Sequence, residues 1–212
     1  MDTLHEIMEE VKRLMSYAQG SHGWDHVERV YRLCIRIGKK EGADLEILKM
    51  AALLHDIGRN DEIRSGGTIC HAERGALLAR QILERFGVAQ EEIDKVIHCI
   101  ETHRFRGAKA PKTLEAKVLF DADKLDSIGA VGIGRAFLFA GEVGARLHNK
   151  DVEIRETDAY SREDTAFREF SLKLKNVKDR MLTKEGRTLA QDRHQFMVSF
   201  FERLHDEVDA MK

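Results

Sequence analysis

The scarcity of proline is the feature that most constrains how this chain can fold. Pro111 is the single proline among the 212 residues, and proline is the residue that most strongly interrupts a helix. Apolar residues recur at steps of three and four along nearly every segment, beginning with Leu4, Ile7 and Val11, which is the spacing of a helix face. No internal repeat or linker-like stretch marks a boundary. The sequence therefore predicts an all-α fold that forms one domain over residues 1–212.

Turn-forming and capping residues give approximate bounds for several segments. Asp44 is a suitable N-cap, and the helix after it is predicted to run to Ile57. The stretch from Gly58 to Cys70 is rich in glycine and polar residues, so we predict a loop there. Residues 141–160 are polar and irregular, and we expect a mobile loop or flap.

Composition excludes several classes of protein. The 35 basic and 37 acidic residues leave a formal charge of -2. The chain as a whole therefore has no net electrostatic attraction to nucleic acid or an anionic membrane. No apolar run approaches the ~20 residues that span a bilayer. The cysteines Cys34, Cys70 and Cys99 are odd in number and lack CxxC spacing, which indicates a reducing cytoplasm. We expect a cytoplasmic protein with a small-molecule partner, and neither a nucleic-acid polymer nor a membrane as partner.

The dipeptide His55-Asp56 is the strongest chemical signal in the chain. It follows the apolar run from Met50 to Leu54, where a carboxylate costs several kcal/mol unless it is paired or bound to a cation. A histidine nitrogen and a carboxylate oxygen together suit a divalent metal of the zinc, manganese or iron kind. Two neighbouring ligands cannot fill a coordination shell, so we expect further ligands from elsewhere in the chain.

Two other metal-capable side chains lie on helix faces that should be buried. His26 shares an apolar stripe, and Asp123 follows Leu119 on another, although carboxylates normally avoid the core. Two histidines and two aspartates give a mixed nitrogen and oxygen set that leaves room for water or a substrate oxygen, as in catalytic metal sites. The predicted metal ligands are His26, His55, Asp56 and Asp123.

These residues, in this order, resemble a known family. His26, then His55-Asp56, then Asp123 within Asp121–Asp126 is similar to the H…HD…D signature of the HD-domain metal-dependent phosphohydrolases. Further segments resemble the small stand-alone bacterial and archaeal branch of that family. They follow in order over about residues 20–205, at 21–30, 51–58, 101–107, 114–117, 121–134 and 193–197.

The resemblance implies an all-helical HD fold, with a core of about residues 20–140 completed by helices over about residues 161–208. It implies a divalent metal ion; manganese is our first expectation, and nickel, cobalt, iron, zinc and magnesium are alternatives that ligand type alone does not separate. It also implies hydrolysis of phosphate esters or anhydrides, most of all those of nucleotides. Related small members are similar to nucleotide pyrophosphohydrolases, which release a nucleoside monophosphate and pyrophosphate.

Charged residues near the predicted ligands are candidates for the chemistry itself. Developing phosphoryl charge needs cationic donors, and Arg59 and Lys124 stand close to the ligands in sequence. Some HD nucleotidases carry an acid four residues after the HD histidine, where this chain has Arg59. We therefore expect Asp126 to act as the general base, with Asp61 and Glu62 as alternatives; an ordinary acid on a helix surface is the competing role for Asp126.

Three residues are predicted to bind substrate phosphate: His71, His103 and Arg106. The two histidines lie on otherwise apolar stripes, and His71 begins an H-x-E-x-G segment that resembles one in bimetallic HD relatives. A second metal and a plain hydrogen-bonded core histidine are the alternative roles. We favour phosphate, because no further carboxylate pattern completes a second metal shell. Arg106 belongs to a basic loop that could hold distal phosphates or be a solvated turn.

Two other functions remain open at this point. The HD scaffold also hosts di-iron oxygenases, which here would need His71 and His103 as ligands of a second iron. A non-catalytic nucleotide sensor that retains its metal is the other alternative. The phenylalanine-rich C-terminal helices could form a homodimer surface or cover the core of their own domain.

Overall fold

The computed structural model describes residues 3–15, 23–104 and 109–212. Regular secondary structure in these ranges is helical, without a strand. The helices in chain order are α1 (Thr3–Met15), α2 (Trp24–Glu41), α3 (Leu45–Leu54), α4 (Arg59–Arg64), α5 (His71–Arg85), α6 (Gln90–Thr102), α7 (Leu114–Leu125), α8 (Gly129–Glu142), α9 (Ala166–Leu172) and α10 (Lys184–Val208). Segments of 3-10 helix lie at Ile154–Glu156 and Leu174–Arg180. The fold class is all-α and single-domain, as the sequence predicts, while the predicted bounds of the core and of the completing helices stay predictions. No helix in the described ranges is both long enough and apolar enough to cross a membrane.

The chain forms two compact units, and residues 1–123 make up the first. Within it α3 packs against α1, α2 and α6, and α5 packs against α4 and α6. Every side chain from Met50 to Leu54 in the last turn of α3 is buried, so that turn has no solvent-facing side. Because His55 and Asp56 follow this turn directly, their polar side chains lie in the interior of the unit.

The start of α3 agrees with its prediction, but its end and the segment after it do not. Asp44 is the N-cap, and its carboxylate accepts hydrogen bonds from the backbone N–H groups of Glu46 and Ile47 at 3.0 and 3.3 Å. The helix ends at Leu54, three residues before the predicted end. The loop predicted over Gly58–Cys70 is wrong in part, because α4 lies within it. The residues of α4 carry no apolar periodicity and are held by packing against α5, which a helix pattern cannot reveal.

Gly58 marks the place where the turn after α3 passes the first turns of α5. A Cβ atom on Gly58 would lie 2.3 Å from the carbonyl oxygen of His71 and 2.6 Å from the backbone nitrogen of Gly75. Its φ of −83° is open to any residue, so the requirement for glycine comes from this close approach. The absence of a side chain here allows the turn that carries His55 and Asp56 to rest on the backbone of α5.

Residues 124–212 form the second unit, whose core is rich in phenylalanine. Phe201 of α10 is 2% exposed and stacks on Phe170 with a ring-centroid distance of 4.7 Å. Phe137 of α8 and Phe167 of α9 also contact Phe201. The phenylalanine-rich C-terminal segment therefore covers a core of its own unit, which is one of the two roles expected for it.

Buried polar bonds connect the segment between α8 and α9 to the start of α9. Asn149 and Thr165 are both fully buried, and the Thr165 hydroxyl donates to the Asn149 side-chain oxygen at 2.7 Å. The Arg168 guanidinium donates to the Asp164 carboxylate at 2.8 Å and to the Thr157 hydroxyl and carbonyl at 2.7 and 2.9 Å. Such buried bonds favour one arrangement of the segment, and the mobility expected for residues 141–160 stays a prediction.

Candidate metal centre

The predicted metal ligands come from separate segments of the first unit. His26 is the third residue of α2, His55 and Asp56 follow α3, and Asp123 lies in the last turn of α7. The side chains of His26, His55 and Asp56 are at most 1% exposed, and that of Asp123 is 15% exposed. The structure therefore brings the predicted set together, with Asp123 as the member nearest to solvent.

The donor atoms of this set face one another at distances that suit a shared cation. The Nε2 atoms of His26 and His55 are 3.2 Å apart, and His26 Nε2 is 3.5 Å from Asp123 Oδ1. Asp56 Oδ2 lies 3.6 Å from His26 Nε2 and 3.9 Å from His55 Nε2. Ligands of one four-coordinate zinc, each about 2.0–2.1 Å from the metal, lie roughly 3.3–3.4 Å apart. The residues present therefore fit a divalent metal ion.

A backbone contact orients the imidazole of His55 for metal binding. The Nδ1–H of His55 donates to the carbonyl of Ala52 at 2.8 Å, because a carbonyl oxygen can only accept. Nε2 of the neutral ring is then left with a lone pair directed at the other donors. Fixing one ring nitrogen in this way is the usual means by which a protein sets the tautomer of a ligand histidine.

A second cluster of donors adjoins the first and shares Asp56 with it. Oδ1 of Asp56 lies 3.7 Å from the Nε2 atoms of both His71 and His103, and those two nitrogens are 3.2 Å apart. All three side chains are at most 5% exposed. His103 Nδ1–H donates to the carbonyl of Ile100 at 2.6 Å, which in a neutral ring places the lone pair on Nε2. Each oxygen of Asp56 thus faces a different group of imidazole nitrogens.

Burial keeps two of these imidazoles neutral. Loss of hydration lowers the pKa of His55 to about 3, although the Asp56 carboxylate acts in the opposite direction. Burial also lowers the pKa of His71 to about 4, with the positive charge of Arg59 adding to the effect. Both rings are therefore unprotonated at neutral pH, which is the form that binds a metal ion.

Arg59, predicted to offset developing phosphoryl charge, pairs with the shared carboxylate. Its Nη2 donates to Oδ1 and Oδ2 of Asp56 at 2.9 and 3.2 Å, and its Nη1 donates to Glu62 at 2.9 Å. Burial lowers the pKa of Arg59, but the carboxylates outweigh it, and the net pKa is raised. Arg59 therefore holds the Asp56 carboxylate in place, and a contact with substrate stays a prediction.

The remaining predicted site residues are Lys124, Asp126 and Arg106. Lys124 and Asp126 belong to the second unit, where the buried Asp126 carboxylate accepts a hydrogen bond from Arg135 at 2.6 Å. Arg106 lies outside the described residues. Arg104, from the same basic segment, forms an ion pair with Glu62 at 3.2 Å. The roles of Lys124, Asp126 and Arg106 stay predictions.

Sequence reasoning missed the position of Glu62 beside both Arg59 and His71. Its Oε2 lies 2.9 Å from His71 Nδ1 and 2.9 Å from Arg59 Nη1. The available signal was the spacing of three between Arg59 and Glu62, which places them on one face of a helix. That signal was lost because α4 was predicted as a loop.

Comparison with known proteins gives matches over nearly the whole chain. The family model described as "HD domain" matches residues 23–128. YpgQ of Bacillus subtilis (strain 168) is 38% identical over 205 residues, which cover 93% of this chain and 90% of that protein. The crystal structure of B. subtilis YpgQ in complex with ADP has a TM-score of 0.76 at 34% identity and covers 97% of this chain and 94% of its own. An HD-superfamily hydrolase from Bacillus thuringiensis has a TM-score of 0.76 at 29% identity, covering 98% and 97%.

Proposed function

The chain belongs to the HD domain family, and from this premise we propose that it is a metal-dependent phosphohydrolase that cleaves phosphate ester or anhydride bonds of nucleotides. The observation that carries the proposal is the approach of His26, His55 and Asp123 to one another, with Asp56 Oδ2 3.6 Å from His26 Nε2. Two imidazoles and two carboxylates form a donor set typical of catalytic metal sites. A structural relative described as an HD-superfamily hydrolase supports the same reaction class.

In this proposal the four residues hold one divalent ion, and manganese is the first candidate. When bound, such an ion lowers the pKa of water and offsets negative charge on phosphoryl oxygens. The chain's own contribution is orientation. The Ala52 carbonyl fixes the ring of His55, and Arg59 holds both oxygens of Asp56, so the donors are arranged before any ligand arrives.

Three further residues are assigned to the substrate and to proton transfer. Lys124 and Arg106 would offset charge on the phosphates, and Asp126 would accept the proton of the attacking water. Arg135 donates a hydrogen bond to the Asp126 carboxylate at 2.6 Å. These assignments rest on sequence position and on the family signature.

Nucleotides are the proposed substrates. B. subtilis YpgQ has been crystallised with ADP, and at 38% identity this chain is similar enough to make a nucleoside phosphate the first class to test. Conversion of a nucleoside triphosphate to a monophosphate and pyrophosphate is the specific reaction that we propose. The relatives named above are not described as oxygenases or sensors. A cytoplasmic location and a homodimer stay predictions.

A second cation is a further candidate for the cluster of Asp56, His71 and His103. The sequence favoured phosphate as the ligand of these histidines because no additional carboxylate was evident. In the structure Asp56 offers its Oδ1 atom to both Nε2 atoms at 3.7 Å. The shared carboxylate supplies the oxygen ligand whose apparent absence had argued against a second metal.

Phosphorus NMR of the products would test the hydrolase. Metal-stripped protein, with manganese added back, would be incubated with nucleoside mono-, di- and triphosphates and with a cyclic dinucleotide. We expect manganese-dependent release of pyrophosphate or phosphate, and no release by the Asp56→Ala variant. Equal turnover by Asp56→Ala would exclude the metal site, and no turnover of the panel by the wild-type protein would exclude these nucleotides as substrates.

A further inference from the structure

Glu62 occupies a central position in the polar network beside the second cluster. It lies on α4, its side chain is 13% exposed, and three groups converge on it. Oε2 lies 2.9 Å from both His71 Nδ1 and Arg59 Nη1, and Oε1 lies 3.2 Å from Arg104 Nη2. A carboxylate only accepts hydrogen bonds when ionised, so the groups facing it act as donors.

The tautomer of His71 follows from this arrangement. Arg59 Nη1 is also 3.1 Å from His71 Nδ1, so two arrangements compete. If Arg59 donated to Nδ1, a ring lone pair would face the Glu62 carboxylate at 2.9 Å. If Nδ1–H donates to Glu62, Arg59 can also donate to Glu62, and both contacts with this carboxylate join a donor to an acceptor. The second arrangement is favoured because hydrogen bonds to an ionised acceptor are the stronger ones.

We propose that Glu62 is a positioning residue that fixes His71 with its proton on Nδ1, and so presents the lone pair of Nε2 to Asp56 and His103. A neutral ring in this tautomer can bind a cation through Nε2 but cannot donate from that atom to a phosphate oxygen. The proposal rests on the proposed function only for its effect on turnover. The assignment of the His71 proton stands on the geometry alone.

Loss of the Glu62 charge should change the choice of tautomer. In Glu62→Gln the side-chain amide is a weaker acceptor and also offers donors of its own. Arg59 Nη1 can then donate to His71 Nδ1, which moves the ring proton to Nε2, where it faces the cluster. Residues that orient a ligand histidine in this way typically change metal affinity or activity by about 10- to 100-fold when they are replaced.

The first experiment reads the proton directly and needs no substrate. Metal-free protein with ¹⁵N-labelled histidine would be studied by long-range ¹H–¹⁵N NMR, with His71 assigned by its absence from His71→Asn. We expect His71 to carry its proton on Nδ1 in the wild-type protein and in Glu91→Gln, and on Nε2 in Glu62→Gln. Glu91 is the matched control, since it is an exposed glutamate on α6 that pairs with Lys95. An unchanged His71 signal in Glu62→Gln overturns the proposal, whether or not the protein hydrolyses nucleotides.

A second experiment tests whether Glu62 acts through His71. Manganese-dependent turnover of the best substrate should show kcat about 10- to 100-fold lower in Glu62→Gln, with KM changed far less. In the His71→Asn background, the Glu62→Gln change should cause no further loss, because the ring that it positions is gone. A full additional loss in the double variant would assign Glu62 a role independent of His71 and overturn the proposal.

Discussion

Acidification from pH 7.5 to 5.5 should destabilise the metal-free protein by about 2–3 kcal/mol, because two buried histidines resist protonation. Burial lowers the pKa of His55 to about 3 and that of His71 to about 4, whereas an unfolded chain has histidine pKa values of about 6.5. Protons therefore bind the unfolded chain but not these folded sites, and stability is lost as the pH falls through about 6.5 toward 4.

The size of this loss of stability follows from the pH range over which the unfolded histidines take up protons. One pH unit corresponds to about 1.4 kcal/mol for each group that is protonated only in the unfolded state. Between pH 7.5 and 5.5 an unfolded histidine passes from mostly neutral to mostly charged, which amounts to about 1.3 kcal/mol for each site. The carboxyl pKa values of unfolded chains lie below this range, so histidines dominate the change.

Urea unfolding of chelator-treated protein at the two pH values would measure the effect. His71→Gln is the informative variant, because it should remove roughly half of the pH dependence, about 1 kcal/mol, whatever its effect at pH 7.5. The partly buried His194 and His205 also have lowered pKa values, but their contribution is common to both proteins. Equal pH dependence in wild type and His71→Gln, or greater stability at pH 5.5, would refute the reasoning.

Three further predictions concern the same centre. Arg59→Ala should lower kcat by about 10- to 100-fold and raise KM, because Asp56 loses the guanidinium that orients it; steady-state kinetics with an unchanged rate would remove Arg59 from the mechanism. Removal of metal by a chelator should abolish turnover, and manganese at about 100 times its Kd should raise the unfolding free energy by about 2.7 kcal/mol; a calorimetric melting temperature insensitive to manganese would contradict this. Gly58→Ala should lower the free energy of unfolding in urea by about 1–3 kcal/mol through overpacking. Gly75→Ala should lower it less, because its added Cβ would meet its neighbours at 3.4 Å or more. Equal losses of unfolding free energy in the two variants would contradict the close approach at Gly58.

Much of the fold and the first cluster could be predicted because their signals are local. Helical periodicity and a single proline indicated an all-α chain, and Asp44 marked a helix start through its own capping chemistry. His26 and Asp123 stood out because polar side chains on apolar stripes need a reason to be buried. Each of these inferences uses residues within a few positions of one another.

The features that escaped prediction depend on contacts between distant segments. The role of Asp56 as a shared carboxylate requires His71 and His103 to approach its second oxygen, and sequence spacing does not encode that approach. Glu62 became significant only once α4 placed it beside Arg59 and His71, and α4 itself is polar and held by α5. The bond between Asn149 and Thr165 likewise joins positions sixteen residues apart.

The contact between Gly58 and α5 has a consequence for protein design. The turn that carries Asp56 passes so close to the backbone of His71 and Gly75 at Gly58 that a Cβ atom would not fit there. A design that copied only the histidines and the carboxylates into another helical scaffold would lack this close approach at Gly58. The two groups of donors would then not be held at their present distance. The apolar residues around α3, by contrast, could be exchanged for others of equal volume. The unit to transfer to another scaffold is therefore a turn, a glycine and the first turns of a helix, together with the ligands that they carry.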